Sequence, residues 1–213
     1  MIPANVKNII FDLGGVIIRL DQPRTDRALA ELAGISPEAF RKLAAGKQSF
    51  FQSFERGEIE DNAFLEELRQ LLQTKVSIST LQHAWNAMLL ELPVENVRML
   101  RELGSQYRLF MLSNTNEIHT AEVHRRVKAV SGLENFNSLF EEVFYSQRIG
   151  ARKPEEKAFR LILEKYHLSA AETLFVDDNL ENIKGAEGLG IQTWHYPLNQ
   201  LLEHAINGGK KQE

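Results

Sequence analysis

Apolar residues along this chain follow two different periods. Short, nearly continuous apolar runs rich in β-branched and aromatic residues occur at 8–11, 108–112, 174–176 and 192–196, with a weaker one at 142–145. Between and around the later runs lie stretches with apolar residues at helical spacing, at 94–104, 118–130, 154–167 and 179–188. Strands that are apolar on both faces, alternating with amphipathic helices, predict a parallel sheet covered on both sides. The fold class is therefore α/β, a doubly wound, Rossmann-like parallel sheet.

The stretch 20–92 breaks this alternation. It holds at least three helical patterns and no strand. Ser36-Pro37-Glu38 reads as an N-cap followed by proline at the first helical position. Asp61 is expected to cap a helix over 62–73 that places Phe64, Leu65, Leu68, Leu71 and Leu72 on one face. Ser79 is expected to open a third helix carrying Leu81, Trp85, Met88 and Leu89. A helical block spliced in after the first strand predicts a cap, 20–92, over a core made of 1–19 and 93–213. The tail, 207–213, is expected to fray.

Composition narrows the picture mainly by exclusion. With 213 residues and 43% hydrophobic content, one core and a modest insertion can be filled. The net charge is −4 with both signs interleaved, and the short runs Arg125-Arg126 and Lys210-Lys211 make no basic face, so no nucleic-acid partner is expected. No run of about 20 apolar residues and no leader pattern is found, so no membrane partner is expected and the setting is read as cytoplasmic. With no cysteine, disulfides, thiolate metal sites and thiol chemistry drop out. No obligate protein partner is evident.

In an open α/β sheet, ligands bind beyond the carboxyl ends of the strands. The residues just past each run are Asp12-Leu13-Gly14-Gly15, Ser113-Asn114-Thr115-Asn116 and Asp177-Asp178-Asn179, and Arg152-Lys153-Pro154 precedes a helix. Taken singly, each has a plain structural explanation: a turn, a helix cap or a solvated lysine. The adjacent acids at 177 and 178 are the exception, because like charges repel unless a cation or a cap offsets them. The convergence of all four on one sheet edge carries the functional reading.

In order and spacing, these segments resemble the four motifs of the haloacid dehalogenase-like superfamily, and the likeness covers nearly the whole chain. Ile9-Ile10-Phe11-Asp12-Leu13-Gly14-Gly15-Val16-Ile17 is similar to the first motif, Leu109-Phe110-Met111-Leu112-Ser113-Asn114 to the second. Arg152-Lys153-Pro154-Glu155 is similar to the third, and Leu174-Phe175-Val176-Asp177-Asp178-Asn179 with Asn182 to the fourth. Ser113-Asn114-Thr115-Asn116 followed by His119, and Glu55-Arg56-Gly57-Glu58-Ile59, further resemble the subgroup of α-D-glucose-1-phosphate phosphatases and epoxide hydrolase N-terminal phosphatase domains.

The resemblance implies a Mg²⁺-dependent phosphatase acting on a small phosphorylated metabolite, a sugar phosphate, through an aspartyl-phosphate. Asp12 is the implied nucleophile; Asp12, Asp178 and the Gly14 carbonyl are the implied metal ligands. Ser113, the Asn114 amide and Lys153 would hold the phosphate, while Glu55 and Arg56 would reach a polar substrate from the cap. Asp177, Asp21 and Asn182 are auxiliary candidates, and His119 is as readily structural as functional. Phosphatases of this superfamily usually carry a second aspartate, the general acid and base, at the position held here by Gly14. The substitution favours an easy leaving group, or a replacement acid such as Asp21 or Glu55. Two other readings stay open: a haloacid dehalogenase, and a catalytically weak phosphate-binding protein.

Overall fold

A computed structural model of the chain describes residues 2–199 and 201; the predicted fraying of 207–213 and the Lys210-Lys211 pair lie outside them. Five parallel strands form one sheet in the order β3-β2-β1-β4-β5. They are β1 (Asn8–Phe11), β2 (Arg108–Ser113), β3 (Glu142–Tyr145), β4 (Thr173–Asp177) and β5 (Gln192–His195). The chain winds outward from the central β1 through β2 and β3, then crosses to build β4 and β5 on the other side. That reversal opens a crevice at the carboxyl ends of the central strands.

Every residue of β1 and β4 is buried, as expected of strands covered on both faces. Successive side chains go to opposite layers. Ile9 and Phe11 pack with Val97, Leu100, Val123 and Val127, from α6 (Val94–Gly104) and α7 (Glu117–Ser131). Ile10 packs with Phe159, Ile162 and Ile183, from α9 (Glu156–Lys165) and α10 (Leu180–Glu187), which follow the short α8 (Ser146–Ile149). The edge strand β5 is only partly covered.

Between β1 and α6 the chain forms α1 (Gln22–Ala33), α2 (Pro37–Ala45), α3 (Gln48–Glu55), α4 (Asp61–Leu71) and α5 (Ile78–Trp85). These helices have a core of their own, including Leu29, Phe40, Phe54, Phe64, Leu68 and Leu81. The Phe54 and Phe64 rings stack with centroids 3.7 Å apart, and Trp85 lies 4.9 Å from Phe64. Ile118 of α7 is the contribution of the sheet-bearing part to this cluster. The two chain crossings run side by side: Arg19 N–H donates to Glu91 O (3.1 Å), Leu90 N–H to Arg19 O (3.0 Å) and Asp21 N–H to Met88 O (2.9 Å). Arg126 on α7 donates to the carbonyls of Leu89 and Leu90, pinning this paired segment to the core helix.

Several expected boundaries shift, each for a local reason. Ser36 does cap α2, accepting from Ala39 N–H. Asp61 is the first residue of α4 rather than its cap, the cap position belonging to Glu60. Ser77, not Ser79, caps α5 by accepting from Thr80 N–H. Met88 and Leu89 lie past that helix, Met88 ending a 3₁₀ turn. Pro154 does not open α9: it follows a cis peptide bond after Lys153, and the helix starts at Glu156.

Candidate active site

The site is assembled from the loops that leave β1, β2 and β4, together with the turn before α9. Asp12, directly after β1, is tied to the neighbouring strand by its N–H, which donates to Val176 O at 2.9 Å. Its Oδ1 lies 2.7 Å from Lys153 Nζ. The same ammonium donates to Asp177 Oδ2 at 2.6 Å, with Lys153 only 1% exposed and Asp177 fully buried. A lysine is rarely buried this deeply without a partner, and here two carboxylates supply the compensation. Burial pulls the Lys153 ammonium towards its neutral form, but Asp12 and Asp177 outweigh it and its pKa ends above the ordinary value.

Asp177 is fully engaged within the protein. Its Oδ1 accepts from Asn179 N–H (2.8 Å) and Asn182 Nδ2 (3.1 Å), and Asn182 also reaches Oδ2 (3.1 Å). Asp178, by contrast, lines the cavity beside Asp12. Burial, then the charge of Asp177, raise the Asp178 carboxyl above the usual carboxylate range. Burial also raises Asp12, to about 7, against the lowering pull of Lys153. Carboxyl oxygens of Asp12, Asp177 and Asp178 all come within 4.8 Å of one another.

Three such carboxylates against one lysine suit a hard divalent cation, which takes oxygen ligands and offsets their repulsion. Asp12 and Asp178 are the pair facing the cavity, and Gly14 lines it with them. The backbone is shaped for this approach at Gly15. Its φ is +79°, and a Cβ there would lie 2.8 Å from Asp178 Oδ2. At Gly14 a Cβ would run into Leu20 Cδ1.

Ser113 is the buried last residue of β2, and Asn114 follows it into the cavity wall. The Asn114 side chain bonds the Lys153 backbone in both directions: Nδ2 donates to Lys153 O and Oδ1 accepts from Lys153 N–H, each at 2.8 Å. Next along the loop, Thr115 N–H donates to Ser146 Oγ (2.9 Å), which donates back to Thr115 O (3.1 Å). Asn116 then caps α7 through His119 N–H. These bonds hold the turn that carries Lys153 against β2.

A cavity of about 280 Å³ spans Asp12, Ser113, Asn114, Lys153 and Asp178, and Glu55 reaches it from the end of α3. Arg152 Nε donates to Glu55 Oε2 at 2.7 Å, bridging the helical block and the core beside Lys153. Burial raises the Glu55 carboxyl above its ordinary range even against Arg152. A second cavity of about 310 Å³ lies under the helices, walled by Gln22, Thr25, Asp26, Phe40, Phe51 and Trp85 among others.

Of the residues named from sequence, Asp12, Gly14, Glu55, Ser113, Asn114, Lys153, Asp178 and Asn182 come together at this cavity, with Asp177 just behind it. Two lie elsewhere. Arg56 donates through Nε to Glu155 Oε1 at 3.0 Å and lines neither cavity. Asp21 pairs with Arg24 (3.3 Å) and Arg27 (3.4 Å) at the start of α1, outside both cavities. Sequence reasoning gave no role to Arg152 or Leu20. For Arg152, its place next to Lys153 was the available signal; Leu20 reads simply as an apolar residue.

The family described as haloacid dehalogenase-like hydrolase matches residues 6–190. A D-ribitol-5-phosphate phosphatase of Bacteroides thetaiotaomicron is 27% identical over 189 residues, 89% of this chain and 91% of that protein. A sesquiterpene phosphatase of Aspergillus oryzae is 28% identical over 191 residues, 89% of each chain. The crystal structure of a HAD family enzyme from Bacteroides thetaiotaomicron, in complex with magnesium and inorganic phosphate, superimposes with a TM-score of 0.84 at 28% identity. The superposition covers 94% of this chain and 99% of that one. Among the described residues, no helix is long and apolar enough to cross a membrane. With the motif residues gathered at the carboxyl edge of a doubly wound sheet and the family match running through nearly all of it, the chain belongs to the haloacid dehalogenase-like hydrolases.

Proposed function

We propose that this hydrolase is a Mg²⁺-dependent phosphatase that cleaves a small sugar or polyol phosphate through an aspartyl-phosphate on Asp12. The observation that carries the reading is the cluster at the end of β1. Asp12 is ion-paired to a buried lysine, backed by Asp177 and flanked by Asp178 in one cavity. Phosphoryl transfer asks for a positioned nucleophile and for positive charge around the phosphate oxygens. Held by Asp12, Asp178 and the Gly14 carbonyl, Mg²⁺ would supply the charge that lets a carboxylate approach a phosphate dianion.

Lys153 orients Asp12 through Oδ1 and brings a cation to the phosphate. Ser113 and the Asn114 backbone amide are the donors for the remaining phosphate oxygens. Attack by an Asp12 oxygen on phosphorus expels the alcohol, and water then cleaves the acyl phosphate to return Asp12 and inorganic phosphate. The residues 20–92 act as the cap and set substrate choice, over a core of 1–19 and 93–213. Gln22 and Asp26 line the adjoining cavity under the helices and suit a hydroxylated substrate, and a relative that acts on D-ribitol 5-phosphate supports that class. A dehalogenase, attacking carbon, gives no purpose to the acidic pair at 177 and 178.

The test is a panel of pentose, hexose and polyol phosphates with p-nitrophenyl phosphate, assayed with Mg²⁺ and after EDTA. Turnover should vanish on chelation and return with Mg²⁺, and Asp12→Asn should lower kcat by on the order of 10⁴-fold or more. Chloride release from 2-chloropropionate, with no phosphate release from any ester, would overturn the proposal.

A further inference from the structure

The phosphate-side cavity and the cavity under the helices share a boundary. Leu20, Glu55, Met88, Asn114, Thr115 and His119 line both. With phosphate against Asp12 and Lys153 and the organic group among Gln22, Asp26 and Phe51, the ester oxygen between them must cross that boundary. Two of the boundary residues titrate, Glu55 and His119. Burial, with Arg126 nearby, lowers His119 to about 4, so its ring is neutral near pH 7. Its Nε2 is also buried from solvent and has no hydrogen-bond partner. It is therefore a weak base and no acid. Gly14 has no side chain to offer, and Leu20 fills the space one would take.

We propose that Glu55, at the end of α3, is the catalytic acid and base of this reaction, standing at the junction where the leaving oxygen departs. The inference rests on the phosphatase reading above. In the first half, an Asp12 oxygen bonds to phosphorus and the bond from phosphorus to the leaving oxygen breaks. The electron pair stays on that oxygen, and the Glu55 carboxyl proton converts it to a neutral alcohol. In the second half, water attacks phosphorus and gives its proton to the Glu55 carboxylate. The bond from phosphorus to Asp12 then breaks, releasing phosphate.

Arg152 fixes the orientation of the carboxyl by holding Oε2. The charges around Glu55 are Arg152, Arg56 and Lys153, which favour the carboxylate, and burial opposes all three strongly enough to raise its pKa. Asp26 shares the cavity under the helices with Glu55. A carboxyl that retains its proton more readily than usual, yet can lose it, is suited to both halves of the cycle.

Glu55→Gln keeps an oxygen acceptor for Arg152 and removes the proton. The readout is kcat/KM, which covers steps up to departure of the alcohol, compared between the best sugar or polyol phosphate of the panel and p-nitrophenyl phosphate. The alkyl ester should lose about 10²–10⁴-fold, and p-nitrophenyl phosphate, whose leaving group needs no proton, less than about 10-fold. A stoichiometric burst of nitrophenolate should precede slow turnover, because water attack still lacks its base. Glu55→Asp, which keeps a titrating group, should show the same selectivity with a smaller loss and serves if the amide variant folds poorly. Equal losses on both esters, or wild-type rates on the alkyl ester, would overturn the assignment. Failure of the phosphatase reading looks different: Asp12→Asn would then keep its turnover on both esters.

Discussion

Arg152 and Lys153 are neighbours in the chain and point into different parts of the molecule. Lys153 goes inward, 1% exposed, between Asp12 and Asp177. Arg152 goes towards the helical block and pairs with Glu55, and both of these side chains keep some solvent access, 21% and 30%. The inner pair has replaced solvation with fixed partners, so each member is costly to remove. The outer pair stays partly solvated, so losing it leaves each member within reach of water. One dipeptide thus joins a buried ion-paired centre to a partly solvated contact with the helical block.

The comparison breaks most visibly if the two cations are removed in turn. Lys153→Met leaves two buried carboxylates without their cation, and denaturant titration should show a loss of about 3–5 kcal/mol. Its kcat should fall by on the order of 10²–10³-fold. Arg152→Met, in the same titration, should cost about 1 kcal/mol or less. Equal stability losses would erase the distinction between the inner and outer pairs.

A second prediction concerns where α7 meets the helical block. His119 is 6% exposed and edge-on to Trp85, with centroids 5.2 Å apart. Its folded pKa of about 4 lies below its ordinary 6.5. The unfolded chain therefore binds more protons between those values. The stability is present in full above pH 6.5 and is lost as pH falls to about 4, amounting to about 3 kcal/mol. Melting curves across that window should flatten in His119→Phe relative to wild type, and an unchanged slope would count against a buried neutral imidazole.

The smallest effect is expected at Arg56, whose side chain is 26% exposed and whose partner Glu155 is 35% exposed. Arg56→Ala should lower stability by about 1 kcal/mol or less. Its effect on catalysis should be a several-fold rise in KM with kcat nearly intact, since Arg56 ties the end of α3 to Glu155 and lines neither cavity. A collapse of kcat in this variant would move Arg56 into the chemistry.

The sheet and its active edge were legible in the sequence because strands buried on both faces leave nearly unbroken apolar runs. Ile9-Ile10-Phe11 and Leu174-Phe175-Val176 also end directly on their acids. The helical block was legible as a block and less so in detail. The cap of α5 was placed two residues late because Ser77 and Ser79 both offer a hydroxyl, and only the backbone shows which one accepts from Thr80. Asp21 and Glu55 were equal candidates by chemistry. They separate only in space, where Asp21 turns to the arginines of α1 and Glu55 to the cavity. The pairing of Glu55 with Arg152 joins residues 97 positions apart, a relation no local pattern records.

The reciprocal bonds between the Asn114 side chain and the Lys153 backbone have a consequence for engineering and descent alike. The loop after β2 and the turn before α9 lie 39 residues apart in sequence, yet they behave as a single inheritable part. A chimera that replaced Asn114 would leave the Lys153 backbone without both of these bonds. Recombination breakpoints that preserve activity should leave this pair together, and any exchange of the helical block must also carry Glu55 with its partner Arg152.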